Sequence, residues 1–240
     1  MSASVDLVAE IHGRLNGTTV PRRPRPGTAP PLVAPSSRPL QVPLRPGGDL
    51  GAVQAGRRSA YRFGGPPSVD EVAAVIHHGV GTAPRAGGLP SLVSFLVTTP
   101  GGDLSEGVHR VDPCLPVPSL VAVRAGDPTS FVAQSLDQPA FADRVPLWLV
   151  LVADLGVALG HYPARHYRTL HLDAGVALQN ALLVATALGL SACPVMGYDD
   201  DAWAELLDLD DRRFVAVLVA LGRPRLEGGG GRGRGRIGGT

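Results

Sequence analysis

The chain contains no lysine; all 22 of its basic residues are arginine. That excludes a lysine Schiff base, a P-loop lysine and a lysine general base. There are two cysteines, Cys114 and Cys193. Two cysteines give neither metal-ligand spacing nor a disulfide framework. Cys193 lies in an apolar stretch and reads as core rather than as a nucleophile. Aromatic residues make up 5% of the chain and charged residues 18%. The longest apolar run, Val145–Ala153, is too short to span a bilayer. The N-terminus lacks the charged-then-apolar pattern of a signal peptide. The expectation is a cytoplasmic protein with no membrane contact. No set of oxygen ligands at defined positions points to a metal; Asp199, Asp200 and Asp201 are expected to cap a helix instead.

What is abundant is glycine (31) and proline (23) in 240 residues, with 44% hydrophobic residues. The net charge of +1 argues against a general polyanion binder, so no nucleic-acid partner is expected. The charge is uneven. Residues 1–56 carry six Arg against three acids, residues 57–222 eleven against seventeen, and residues 223–240 five against one. An acidic middle is thus flanked by basic ends. Residues 1–48 are read as a short N-terminal helix (2–15) and a Pro/Arg-rich extended arm (20–48). Residues 49–227 form the folded domain, and 228–240 a Gly/Arg tail. No internal repeat is visible.

Within the domain, Ser68-Val69-Asp70-Glu71 is a capping box opening a helix to about His78, stopped by Gly79. Ser91–Thr99 reads as a strand and Val108–Val111 as a short one. Ser119–Arg124 and Ser130–Leu136 read as helical. Pro146–Ala153 and Phe214–Leu221 read as strands buried on both faces. Asp173–Leu188 is the clearest helix, and Asp200–Leu207 a short one. Helices alternating with buried strands imply an α/β arrangement with both faces of a sheet covered. Trp148 and Trp203 read as core. His77, His78, His109, His166 and His171 read as surface or satisfied core histidines.

Five segments carry chemistry. Arg57-Arg58-Ser59-Ala60-Tyr61-Arg62-Phe63 offers guanidinium groups and a hydroxyl suited to a phosphate monoester. Pro84-Arg85-Ala86-Gly87-Gly88-Leu89-Pro90 precedes a strand and lets a flat ligand approach the backbone. His161-Tyr162 runs through Arg165-His166-Tyr167-Arg168 into Asp173-Ala174-Gly175 and Gln179-Asn180. Cys193-Pro194-Val195-Met196-Gly197 is the fourth. Leu221-Gly222-Arg223-Pro224-Arg225 ends the last strand.

In this order and spacing, the five segments resemble the FMN-dependent nitroreductase superfamily. They are closest to its SagB-type azoline dehydrogenase branch, which oxidises thiazoline or oxazoline rings in ribosomal peptide natural products. The resemblance covers about Leu50 to Arg225. It implies a three-layer α/β (α+β) fold, with a mixed central sheet flanked by helices, and an intertwined homodimer with flavin at the subunit interface. It implies that Arg57, Arg58 and Ser59 hold the FMN phosphate and ribityl chain, with Arg223 and Arg225 closing on the phosphate. Ala86, Gly87 and Gly88 would line the flavin or its partner-chain side, with Gln179 and Asn180 near the cofactor. The backbone of Val195, Met196 and Gly197 would lie by the isoalloxazine, where a donor near N5 suits hydride acceptance. The implied partners are an azoline-containing precursor peptide and the cyclodehydratase enzymes of its pathway. An NAD(P)H-dependent reductase of the same fold is the alternative enzyme, and an inactive partner subunit the alternative class.

Two positions depart from the resembled pattern. A third basic residue usually comes two after the Ser; here Tyr61 stands there and Arg62 follows. A Lys-Tyr pair is common where this chain has His161-Tyr162. Three readings follow: His161 is the general base, Tyr162 carries the proton chemistry alone, or the site is inactive.

Overall fold

A computed structural model describes residues 6–12, 28–40, 44–112 and 117–225. Cys114 and the Gly/Arg tail lie outside the described residues. Helix α1 covers residues 6–12. There follow β1 (Ser37–Pro39), α2 (Leu50–Gly56), β2 (Phe63–Gly65), α3 (Val69–Ala74), a π-helical segment (Val75–Gly81) and a short 3-10 turn (Ala86–Gly88). Next come β3 (Leu92–Thr98), β4 (Gly107–Asp112), β5 (Ser119–Ala125), α4 (Thr129–Ser135), α5 (Pro139–Ala142), β6 (Leu147–Asp154) and α6 (Leu155–His161). A second 3-10 turn (Ala164–His166) leads into α7 (Tyr167–Ala187), β7 (Ser191–Val195), α8 (Asp200–Leu207) and β8 (Arg213–Pro224).

The strands form one sheet in the order β1-β5-β4-β3-β6-β8-β2, with β7 also paired to β8. Every ladder between these strands is antiparallel. The parallel contribution is a single bridge between Ser59 and Ala192.

Strand β6 shows why the fold has three layers. All eight of its residues are buried, as a continuous apolar run in a central strand requires. Side chains alternate across a strand. Leu149, Leu151 and Ala153 therefore enter the core shared with α7, α3 and α6. Trp148, Val150 and Val152 enter the opposite core with α4 and α8, where Trp203 also lies. Burying each Leu or Val contributes about 1.5–3 kcal/mol.

Helix α7 presents a stripe of small residues inward: Ala174, Ala177, Ala181 and Ala185 are all buried. Such a stripe lets another backbone come close. A Cβ placed on Gly79 would sit 2.6 Å from the Ala181 Cα. Gly79 is thus a packing glycine, and the helix runs through it to Gly81 instead of stopping there. Helix α7 is long and apolar enough to cross a membrane by length and composition. In this fold its Ala stripe is committed to the core.

Other expectations also changed. Ser119–Ala125 is a strand, not a helix. It is paired on both sides, to β1 and to β4, and its alternating Leu120, Ala122 and Arg124 against Val121 and Val123 suit a pleated strand better than a helix. The clearest helix begins at Tyr167, six residues before Asp173. The arm is extended, and its described part is docked. Ser37–Pro39 pairs with β5, and Ala29 and Leu40 are buried. The Arg124 guanidinium donates to the carbonyls of Pro30 (2.6 Å), Glu205 (2.7 Å) and Leu206 (2.8 Å), tying arm, sheet and α8 together.

Candidate functional site

Strand register brings the two arginine motifs to one end of the sheet. Ser59 bridges Ala192, and the Ala60 N–H donates to the Ala192 carbonyl at 2.9 Å. Ala192 pairs with Leu221 on β8, two residues before Arg223. Four residues beyond Ser59, Phe63 pairs with Pro224. Arg57, Arg58, Ser59, Arg223 and Arg225 are therefore neighbours by topology.

Their side chains are not equivalent. Arg58 folds back and donates to the carbonyls of Ala55 and Arg57. Arg223 pairs with Glu71 at 3.2 Å. The same Glu71 carboxylate accepts the Ser68 N–H at 2.6 Å and closes the capping box of α3. Arg57 and Arg225 have no side-chain partner among the described residues. Arg225 lines a cavity of about 340 Å³ with Arg62, Phe63 and Arg144.

A second group forms around Tyr162. Asp154 ends β6 and caps α6, its carboxylate accepting the Val157 N–H at 3.0 Å and the Arg213 Nε–H at 2.9 Å. Helix α6 then runs to His161. Pro163 disfavours helical backbone at the residue before it, and Tyr162 is extended (φ −130, ψ 157). This turn separates the two candidate residues. His161 Nδ1 lies 3.1 Å from the Val157 carbonyl, on its own helix. A carbonyl only accepts, so Nδ1 is the donor, and the neutral ring keeps its Nε2 lone pair. Tyr162 instead lies over the 86–88 turn. A Cβ on Gly87 would be 2.5 Å from the Tyr162 hydroxyl oxygen, and Gly87 has φ +66. Below, Tyr162 stacks on the buried His166 ring at 4.3 Å and 14°.

The 86–88 turn is held from α7. The buried carboxylate of Asp173 accepts the Ala86 N–H, with both oxygens at 3.2 Å. Burial lowers the pKa of the adjacent Arg85, and Asp173 opposes that. Arg85 Nε and His166 Nε2 are both buried, with no hydrogen-bond partner among the described residues. Gly88 also has positive φ (+64), and the space at its Cβ is open.

The third group follows β7. Val195 ends the strand, and Met196 is 67% exposed. The Gly197 carbonyl accepts the Asp137 N–H at 2.8 Å, and a Cβ on Gly197 would meet Asp137 Oδ2 at 2.6 Å. Tyr198 donates its hydroxyl to the Val215 carbonyl at 2.9 Å. The backbone around Met196 is thus pinned while its side chain projects outward. Five strand residues at about 3.3 Å each separate this loop from the arginine end. Cys193, within β7, is buried, and burial raises its thiol pKa.

Gln179 and Asn180 form a fourth group on the outer side of α7. They line a cavity of about 400 Å³ with His171, Leu172, Gly175 and Val176. Leu172 is 69% exposed there. This groove shares no residue with the Arg225 cavity. Asp199 caps α8 by accepting the Ala202 N–H at 3.0 Å.

Several residues of these groups escaped the site reading. Arg62 was visible as the extra basic residue after Tyr61. Asp173 was visible only as the opening of a helix motif. Arg144 and Glu71 carry no local signal, because only the fold brings them to the β8 end.

A Methanocaldococcus jannaschii protein bearing a nitroreductase name is 26% identical over 145 residues, which is 60% of this chain and 71% of the relative. Three solved structures show the same fold. One, a nitroreductase-type protein of Anabaena variabilis, has a TM-score of 0.66 at 24% identity over 78% of this chain; the alignment spans 41% of that chain. Another comes from the Escherichia coli microcin synthetase McbBCD complex with truncated pro-MccB17 bound. It has a TM-score of 0.62 at 18% identity, covering 93% of this chain and 94% of that one. The third, from Desulfovibrio desulfuricans, is in complex with FMN; its TM-score is 0.56 at 20% identity, covering 78% of this chain and 92% of that one. The profile of the Nitroreductase family matches residues 55–223, and the chain belongs to that family of oxidoreductases.

Proposed function

We propose that this chain is an FMN-dependent dehydrogenase that oxidises azoline rings to azoles in a ribosomally made, post-translationally modified peptide. The observation that carries the reading is Tyr162. It keeps the tyrosine of the resembled branch, is 40% exposed, and has its hydroxyl set over Gly87. The likeness to the microcin synthetase chain, over more than nine tenths of both chains, supports a peptide substrate and synthetase partners.

The residues suit FMN on two counts. The arginine end offers Arg57 and Arg225, which have no side-chain partner among the described residues, beside Ser59. The pinned 195–197 backbone and the open Gly88 turn offer surfaces that a flat ring can approach. Bound FMN supplies a two-electron acceptor for the hydride leaving the ring β-carbon.

The chain's own tasks are binding, orientation and proton transfer. Arg57, Ser59 and Arg225 hold the phosphate and ribityl end. Asp173 holds the 86–88 turn and so fixes the floor under Tyr162. The Tyr162 hydroxyl relays the α-proton of the azoline ring, passing its own proton to water as it accepts the new one. His161, turned onto its own helix with Nδ1 held by Val157, offers Nε2 on the exposed side as the alternative base. A second copy of the chain covers the apolar α7 face around Leu172 and Val176 and completes the site, as the resemblance implies.

The test is a visible spectrum of the purified protein, followed by incubation with a thiazoline-containing peptide in air. Loss of two hydrogens from the peptide supports the reading. Rapid flavin bleaching by NAD(P)H with an unchanged peptide favours a reductase, the reading suggested by the name of the M. jannaschii relative. A colourless protein that takes up no FMN favours a non-catalytic subunit.

A further inference from the structure

The residue expected to supply a third positive charge to the phosphate is a tyrosine, which carries no charge to offer. Tyr61 meets Phe141 edge-on at 6.2 Å. Phe63 packs on the same ring at 6.2 Å, and Phe141 in turn meets Trp148 at 5.9 Å. Phe63 is half-buried in this cluster, while Tyr61 and Arg62 lie exposed at its edge. Two of the arginines expected at the phosphate are engaged. Arg58 donates to the backbone carbonyls of Ala55 and Arg57, and Arg223 is paired to Glu71.

Three arginines instead converge on one cavity. Arg62, Arg144 and Arg225 line a space of about 340 Å³ with Phe63 as the remaining wall. Among the described residues no carboxylate lines it, and none of the three guanidinium groups has a hydrogen-bond or ion-pair partner. Guanidinium groups remain charged at any ordinary pH. Three of them around one cavity form a positive potential that favours an anion. The volume lies at the low end for a ligand pocket, which suits the charged end of a ligand rather than a whole flavin. Phosphate oxygens accept the parallel N–H pairs that guanidinium presents.

We propose that Arg62 and Arg144 act with Arg225 as the anion site for the flavin phosphate, in place of Arg58 and Arg223. This rests on the FMN reading above. Arg144 enters from the α5–β6 connection, and Arg62 supplies the charge that Tyr61 does not.

The experiment titrates full-length, flavin-stripped protein with FMN and with riboflavin, which lacks the phosphate, reading flavin fluorescence quenching. Wild type should bind FMN more tightly than riboflavin. Arg62→Gln and Arg144→Gln should each weaken FMN about tenfold and leave riboflavin within about twofold. Arg144→Lys, which keeps the charge and loses the planar fork, should fall between. Arg110→Gln, an exposed arginine on β4, should change neither ligand. Unfolding curves of each variant check that the fold is intact. Variants that leave FMN affinity unchanged, or weaken both flavins alike, overturn the arginine assignment while the FMN reading stands. A wild type that binds neither flavin overturns both.

Discussion

The arginine end and the Tyr162 end of the candidate site are built in opposite ways. At the arginine end, sequence neighbours diverge: among the described residues Arg57 has no side-chain partner, Arg58 donates back to Ala55 of α2, and Arg223 is taken by Glu71. At the Tyr162 end, distant segments converge on one geometry. Asp173 of α7 holds Ala86, Gly87 lies against Tyr162, and His166 stacks behind it. Long, exposed guanidinium groups grip a charge through electrostatics and tolerate displacement. A hydroxyl meant to meet a reacting carbon is fixed by backbone, where small shifts are costly.

This contrast orders the expected effects. The largest belongs to Gly87. Gly87→Val places a side chain where Tyr162 sits, on backbone with positive φ. Turnover of a thiazoline peptide should fall about 100-fold or more, with FMN affinity little changed. Retained turnover would remove the fixed-geometry account of that end. Tyr162→Phe keeps the ring stack on His166 and removes only the hydroxyl. Its turnover should drop about 100-fold, while melting temperature and bound flavin stay near wild type.

Asp173→Asn tests the clamp between the two. The carboxylate is buried and carries the Ala86 hydrogen bond. Chemical denaturation should show a loss of about 1–3 kcal/mol, together with reduced turnover. Arg223→Gln, in contrast, removes an exposed pair to Glu71 and should cost less than about 1 kcal/mol. A collapse of flavin binding in that variant would restore Arg223 to the phosphate and blur the distinction between the engaged and the free arginines.

The smallest effect lies outside both ends. Burial, with Asp199 and Asp201 beside it, pushes the pKa of Asp200 up to about 6. The folded state therefore binds this proton more tightly than the unfolded chain does. The resulting stabilisation is full below the ordinary Asp range near 4 and is lost as pH rises through about 6. Asp200→Asn should raise stability at pH 7.5 by no more than about 1 kcal/mol, since the site is partly solvated. The gain should vanish at pH 4. A gain independent of pH would point to packing rather than charge.

The layered fold was legible in the sequence because β6 and β8 are continuous apolar runs and because Ser68 to Glu71 spells its own cap. The Leu120–Val123 run inside Ser119–Arg124 fits either period, and only the two strands that flank it decide for a strand. Gly79 carries the signal of a helix stop, and its close approach to Ala181 is visible only in the tertiary structure. The docking of the arm was hidden too, since the Arg124 clamp joins residues more than eighty positions apart. The arm thus contributes β1 and the buried Leu40 to the domain. In the site, the engagement of Arg223 depends on Glu71, which lies outside the five motifs.

The most direct test compares wild type with Tyr162→Phe, both loaded with FMN, on a thiazoline-containing peptide in air, with flavin content measured in parallel. The account predicts that wild type removes two hydrogens from the peptide. It also predicts that the variant holds equal flavin and leaves the peptide almost unchanged. Equal oxidation by both proteins, or none by a wild type that is fully loaded with FMN, would contradict it.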